Sequence, residues 1–438
     1  MIWKSTEGTS LMQNIKDLIE VDDDILKARD EVTKEISKEI ENVSELVRYN
    51  TSKVLKAFRE SEFAEHHLSG STGYAYDDMG RDNLESVYSK AFSCEAALVR
   101  IQVVSGTHAL ALALFGVLRP GDILVSVTGR PYDTMTGVIG HHADTSGSLK
   151  EHKVMYEEID LKNGRPNFDE ISRVVADKKP KVALIQRSRG YSWRSSLSID
   201  DIEEISGYIK RASKDTIVFV DNCYGEFTDS CEPVSCTDVD LMAGSLIKNP
   251  GGGISPSGGY VAGKAELVEM AAERLTAPGL GSHCGPSLGF TRQMAQGFFL
   301  APMIVGEAIA GSIFAARFLS RMGYDVSPDY LERRDDIVLG VNMKDKETLF
   351  AFTKAVQASS PIDAHVTPVA APMVGYADDV VMAAGAFTQG SSIELSADAP
   401  IRPPYTAYLQ GGLNRFQVEL AILTFAQSMK NLGKYTWR

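Results

Sequence analysis

The sequence predicts an α/β protein: a mainly parallel sheet with helices on both faces, a helical arm before it and a smaller α/β unit after it. Two observations carry this reading. From Ala97 onward, short apolar runs alternate with helical patterns: Ala97 to Val103, the helix Ala109 to Leu118, Ile123 to Val127, Val182 to Gln186, the helix Ile202 to Lys210, Ile217 to Asp221 and Leu241 to Leu246. Strands that alternate with helices imply crossover connections and parallel pairing. The length, 438 residues, also exceeds the roughly 250 to 300 residues at which one core stops growing, so more than one unit is expected.

Ahead of this pattern, residues 10–66 show helical periodicity without strand signals. Val32, Ile36, Ile40, Val43 and Val47 recur at three-to-four spacing, one amphipathic stripe that must lie on the chain's own body or on a second subunit. A turn-rich segment, Ser69 to Arg81, leads into a helix from about Asn83 to Ala91. Gly259 to Gly263 reads as one further, antiparallel strand, a helical region runs from about Pro286 to Met322, and a second set of strands and helices begins near Tyr324. The expected units are therefore a helical arm over 1–68, a large domain over 69–323 and a small C-terminal domain over 324–438.

Composition narrows the function classes. With 44% hydrophobic and 24% charged residues the chain reads as an ordinary soluble protein, and its formal net charge of -13 argues against nucleic acid or an anionic membrane surface as partner. The five cysteines show no zinc-type spacing, so a reduced, cytoplasmic chain is expected. Met1 to Thr9 lacks the layout of a signal peptide. No apolar run reads as long enough to span a bilayer, and Ala301 to Leu319, broken by Gly306, Glu307 and Arg317, is expected as a buried helix.

Open sheets bind ligands beyond the carboxyl ends of their strands. After the first strand comes Ser105-Gly106-Thr107-His108, whose small and hydroxyl residues at a helix start suit either a phosphate or simple capping. After the second comes Tyr132, which could cover a planar ring and donate a proton, or be an ordinary loop aromatic. Beyond Gln186, the run Arg187 to Arg194 holds three arginines and two aromatics, which suits anion binding or a surface salt-bridge loop. Asp221 closes an apolar strand, and Lys248 lies between an apolar segment and the glycines Gly251 to Gly253. A desolvated lysine is a usable nucleophile, and a buried aspartate suits a cationic ring nitrogen. Together they are what pyridoxal phosphate requires: a Schiff-base lysine and a carboxylate that keeps the pyridinium protonated.

The segments Ser105 to Ala109, Val220 to Tyr224 and Ser245 to Lys248 resemble those of the cysteine and methionine metabolism enzymes that use pyridoxal phosphate, of aspartate-aminotransferase fold type I. Gly73 to Asp82, Tyr224 to Phe227 and Lys248 to Ile254 are similar to the methionine gamma-lyase-like branch called aluminium resistance proteins, over about residues 65–415. The resemblance implies a pyridoxal phosphate-dependent transferase-like fold with a mainly parallel seven-stranded sheet, and a carbon-sulfur lyase acting on a sulfur-containing amino acid. It implies Lys248 as the Schiff-base residue, Asp221 at the ring nitrogen, Tyr132 as ring-stacking acid or base, and Ser105, Gly106, Thr107, Tyr224 and Ser245 around the cofactor. It further implies that Tyr76 or Arg81 reaches a neighbouring subunit's phosphate, in a homo-oligomer that is a dimer or a tetramer of two dimers.

Two positions depart from the lyase pattern. Ile247 stands where the lyases carry a hydroxyl before the lysine, so one phosphate contact is expected to be lost or to move to Thr107 or His108. Glu394-Leu395-Ser396 stands where the lyases carry an arginine for the substrate carboxylate, so Arg402, with Arg189 behind it, is expected to take that role. Other reactions on the same fold, transamination or aldol cleavage, stay open. So does a metal-binding role for acidic runs such as Asp22 to Asp24.

Overall fold

Two sheets organise the chain in the computed structural model, which describes residues 18–141, 145–373 and 378–438. The first contains β1 (Ala96–Arg100), β2 (Ile123–Ser126), β3 (Met155–Glu158), β4 (Val182–Gln186), β5 (Ile217–Asp221), β6 (Leu241–Ser245) and β7 (Gly259–Gly263), in the order β1-β7-β6-β5-β4-β2-β3. Strands β3, β2, β4, β5 and β6 pair in parallel, and β7 runs antiparallel between β6 and β1. The seven-stranded sheet and its one reversed strand match the expectation. Strand β3 was not legible, because it lies at the sheet edge and carries partly exposed Met155, Glu157 and Glu158 where an alternating apolar signal would be.

Alternation of side chains divides the sheet's faces. Leu124, Leu184 and Phe219 join one core with the helices Gly106–Val117 and Ala265–Leu275. Val125, Ile185 and Val220 join the other with Ile171, Val174, Ile202 and Ile205 of the helices Phe168–Lys178 and Ile199–Ala212. The second sheet is antiparallel: β8 (Asp325–Ser327), β9 (Val338–Asn342), β10 (Ala370–Ala371), β11 (Val380–Ala384), β12 (Ser396–Pro400) and β13 (Thr406–Gln410), in the order β10-β11-β12-β13-β9-β8. Helix Lys346–Ala358 packs on β11 and β12, and Arg415–Asn431 packs on that helix.

The arm forms two helices, Asp23–Glu35 and Ser37–Glu60, broken at Ile36; residues 10–17 of the predicted stretch lie outside the described residues. Its stripe rests on the chain's own helix Thr291–Arg321. By length and composition this 31-residue helix could cross a membrane, contrary to the sequence reading, but most of its apolar window is buried inside the protein. The glycines after Lys248 also serve this helix. A Cβ on Gly252 would stand 2.4 Å from the Gly297 carbonyl oxygen, and one on Gly297 would stand 2.2 Å from that of Gly251. Close packing against Leu246, Gly297 and Leu413 leaves no room for a side chain at any of the three. Cys231 and Cys236 form a disulfide, which corrects the expectation of a fully reduced chain.

Behind the carboxyl end of β5 lies a buried polar network. Arg187 donates to Asn222 Oδ1 at 2.8 Å, the Gly225 carbonyl at 2.9 Å and Thr228 Oγ1 at 3.1 Å. Asn222 donates to Glu232 Oε2 at 3.0 Å, and the Tyr260 hydroxyl donates to Glu226 Oε1 at 2.8 Å. Burial, with Glu232 adding, pushes the Glu226 carboxyl up to about 8.

Two predictions follow from this packing. Gly306 faces the arm, and a Cβ there would stand 2.1 Å from Val47 Cγ2. Gly306→Ala should destabilise the protein by about 1–3 kcal/mol in urea denaturation despite its better helix propensity, and Val47→Ala in the same chain should recover much of the loss. Glu226 keeps its proton up to about pH 8 when folded, against an ordinary value of 4.5. Its contribution is thus complete below 4.5 and lost as pH rises through about 8; Glu226→Gln should flatten that part of a stability-against-pH curve.

Candidate active site

The carboxyl ends of β1, β2, β5 and β6 gather several of the expected groups around one amine. Lys248 Nζ lies 4.0 Å from the centroid of the Tyr224 ring. A Cβ on Gly106 would stand 3.9 Å from that amine, 3.5 Å from Ser245 Cβ and 3.0 Å from Cys223 Sγ. Gly106 therefore keeps open a space that any larger residue would begin to fill. It opens the helix Gly106–Val117, capped by Ser105, whose Oγ accepts the His108 N–H at 3.1 Å. The helix start turns free amides and the positive end of its dipole outward from β1.

Tyr132 follows β2. Its hydroxyl lies 2.8 Å from Thr107 Oγ1, which is 2.9 Å from Thr134 Oγ1, and its N–H donates to Gln186 Oε1 at 2.8 Å. Burial and then Asp221 raise the phenol's pKa, while Lys248 opposes them. Asp221 ends β5, buried, with Oδ1 accepting the Cys223 N–H at 3.1 Å. Burial lifts its carboxyl and the charge of Lys248 works against that, so this carboxylate is one that a cationic partner would stabilise. For Lys248, burial works against the ammonium, yet the facing acidic groups Cys223, Tyr224, Tyr132 and Asp221 hold its pKa above the ordinary range.

Ser245 is buried and its Oγ accepts the Ile247 N–H at 3.3 Å. Tyr224 adopts a left-handed φ of 74°, and its carbonyl accepts from Asn249 Nδ2 at 2.9 Å. Sequence reasoning passed over Asn249, Thr134 and, on the second sheet, Asp398. The dipeptide Lys248-Asn249 was visible, but nothing local marks an asparagine as a clamp on a distant loop.

Other expected residues stand elsewhere. Arg81 is buried and donates to the carbonyls of Ala75 and Gly285 and to Asp82, whereas Tyr76 is 52% exposed and stacks on Tyr74. Arg402 is exposed and paired with Asp378 at 2.9 Å. Arg189 is buried, donates to the Ser327 carbonyl at 2.6 Å, and has an Nε without a partner among the described residues. Arg187 and Arg194 spend their donors on the protein's own acceptors, chiefly backbone carbonyls, so the arginine-rich loop is a set of struts and not a surface salt-bridge loop. Glu394 accepts the N–H groups of Phe387 and Thr388. Asp22 and Asp24 hold Lys430, and among the described residues no cluster of three metal-ligating side chains forms.

The donor set fits pyridoxal phosphate: an enclosed amine, a buried carboxylate in need of a cation, a helix start and a space kept by Gly106. Comparison with known proteins agrees. The Bacillus subtilis (strain 168) protein YnbB is 49% identical over 90% of this chain and 93% of its own length. A Clostridium novyi structure described as a carbon-sulfur lyase involved in aluminum resistance has a TM-score of 0.91 at 45% identity, covering 96% of this chain and all of that one. A proposed cystathionine beta-lyase involved in aluminum resistance from Clostridium acetobutylicum gives 0.92 at 43%, over 95% and 98% of the two chains. The family model for methionine gamma-lyase matches residues 25–430, and with relatives this similar over nearly its whole length the chain belongs to the methionine gamma-lyase family, with the fold of pyridoxal phosphate-dependent enzymes of type I.

Proposed function

We propose that the protein is a pyridoxal phosphate-dependent carbon-sulfur lyase that eliminates a thiol from a sulfur-containing amino acid, as methionine gamma-lyase or a cystathionine lyase does. The observation that carries this is the enclosure of the Lys248 amine between the Tyr224 ring and Gly106, with Asp221 facing it. When bound, pyridoxal phosphate supplies the carbonyl that takes the lysine amine and the electron-withdrawing ring that acidifies the substrate's α-proton.

In this reading Lys248 anchors the cofactor, and its freed amine takes the proton from the α-carbon and moves it onward. Asp221 keeps a proton on the ring nitrogen by offering a buried negative charge. Ser105, Gly106, Thr107 and Ser245 hold the phosphate, the first three through the helix start and its hydroxyls. Tyr132, linked to Thr107, covers the ring and protonates the leaving sulfur; its raised pKa keeps that proton available at neutral pH. For the substrate carboxylate Arg189 fits better than Arg402, since it is buried with an open Nε while Arg402 is held at the surface by Asp378. The exposed Tyr76, rather than the committed Arg81, suits a contact with a neighbouring subunit, in a dimer or a tetramer of two dimers. The arm, large domain and small domain divide at 69 and 324.

Borohydride treatment of cofactor-loaded protein, followed by peptide mapping, should place the reduced adduct on Lys248. Lys248→Ala should lose both the adduct and thiol release; a labelled, active variant would overturn the assignment. Tyr132→Phe should retain the adduct while turnover falls by roughly a hundredfold, measured as thiol released from thioether amino acids.

A further inference from the structure

Asp398 stands on β12 of the second sheet, on the face opposite Ala397 and Ala399, which join the hydrophobic core. Its register neighbours on that face are Met382 on β11 and Tyr408 on β13, and Tyr408 in turn opposes Gly340 on β9. The loop after β4 lies over this row. Tyr191 stacks on Tyr408 with ring centroids 5.2 Å apart and hydrogen-bonds the Asp398 carboxylate, and Arg189 Nη1 lies over Gly340, 3.3 Å from where a Cβ would be.

Asp398 is 7% exposed. Gln410 Nε2 donates to its Oδ2 at 3.0 Å, while Oδ1 is buried with no partner among the described residues. The group is close enough to the site for Lys248 and Tyr224 to exchange charge effects with it. An ionised carboxylate accepts hydrogen bonds only, and leaving one buried oxygen empty is costly. Lys248 already faces Asp221, and the reacting end of an amino acid gives its own nitrogen to the cofactor. A second carboxylate in this wall is therefore left over from the elimination itself.

We infer that Asp398 is a specificity-determining residue that accepts a second ammonium, carried by the far end of the substrate, and so selects thioethers whose leaving thiol is itself an amino acid over those that release a bare alkyl thiol. The inference rests on the lyase reading above and deepens it. Met382, the next residue along the row, is 39% exposed, so the Asp398 end of the row lies nearer the surface than the buried Ala397 and Ala399 on the opposite face. Burial raises the Asp398 pKa, and hydrogen bonds from the neutral side chains Tyr191 and Gln410 and the charge of Lys248 work against that, so a further cation reaching Oδ1 would stabilise its ionised form.

The test separates binding from chemistry. L,L-diaminosuberate and L-aminosuberate differ only in the distal ammonium, and neither contains a carbon-sulfur bond. Calorimetric titration of cofactor-loaded protein should show diaminosuberate bound at least about tenfold more tightly, as a charge-assisted hydrogen bond provides. Asp398→Asn should abolish that preference while aminosuberate binding and the near-visible spectrum stay as in the wild type. Asp398→Ser, read in parallel, guards against a folding defect in one variant. A wild type without the preference, or an Asp398→Asn protein that keeps it, would overturn the inference. Failure of the wild type to release thiol from any thioether amino acid would instead remove the lyase reading, and would leave the binding result standing.

Discussion

The side-chain amide of Asn249 donates to two carbonyls, those of Tyr224 and Glu226, at 2.9 Å each. This pair of bonds ties the residue after Lys248 to the loop that leaves β5. Tyr224 and Phe227 have φ of 74° and 63°, a conformation that costs non-glycine residues energy and persists only when the surroundings hold it. With the loop so held, the Tyr224 ring stands over the lysine amine and Asp221 faces it. The arrangement of amine, ring and carboxylate thus depends on one fully buried amide.

The loop is also held from behind. Arg187 fills the space against Gly225, where a Cβ would stand 2.5 Å from its Cδ, and its guanidinium reaches Asn222, Gly225 and Thr228. A buried guanidinium with most of its donors satisfied by fixed acceptors is a rigid strut. On the other side, backbone contact between Gly251, Gly252 and Gly297 seats the lysine segment on the long central helix. Small residues there let backbones approach more closely than side chains would permit. The groups around the Lys248 amine come from strand ends, but their mutual geometry is fixed by packing that none of those strands contains.

The second sheet meets the loop that follows β4. Its strand β12 places Asp398 beside Tyr191, and the Arg189 side chain crosses from the first sheet to Ser327 on β8. Arg402 shows the limit of position alone: it lies only two residues past β12, yet it turns to the surface and to Asp378.

What the sequence determined by itself was local and periodic. Strand and helix alternation from Ala97 to Leu246, the apolar strand ending in Asp221, the small residues opening a helix at Gly106 and the lysine after β6 were all legible, because each is written in contiguous residues. The arm's stripe was legible too, though not its partner, since Val43 and Val47 meet Gly306 only after the chain has folded back. The edge strand β3, the strut role of Arg187, the purpose of the glycine run and the placing of Asp398 were decided by tertiary structure alone. Each depends on what a residue faces across the fold, and a sequence records which side chains are present but not the distances between them.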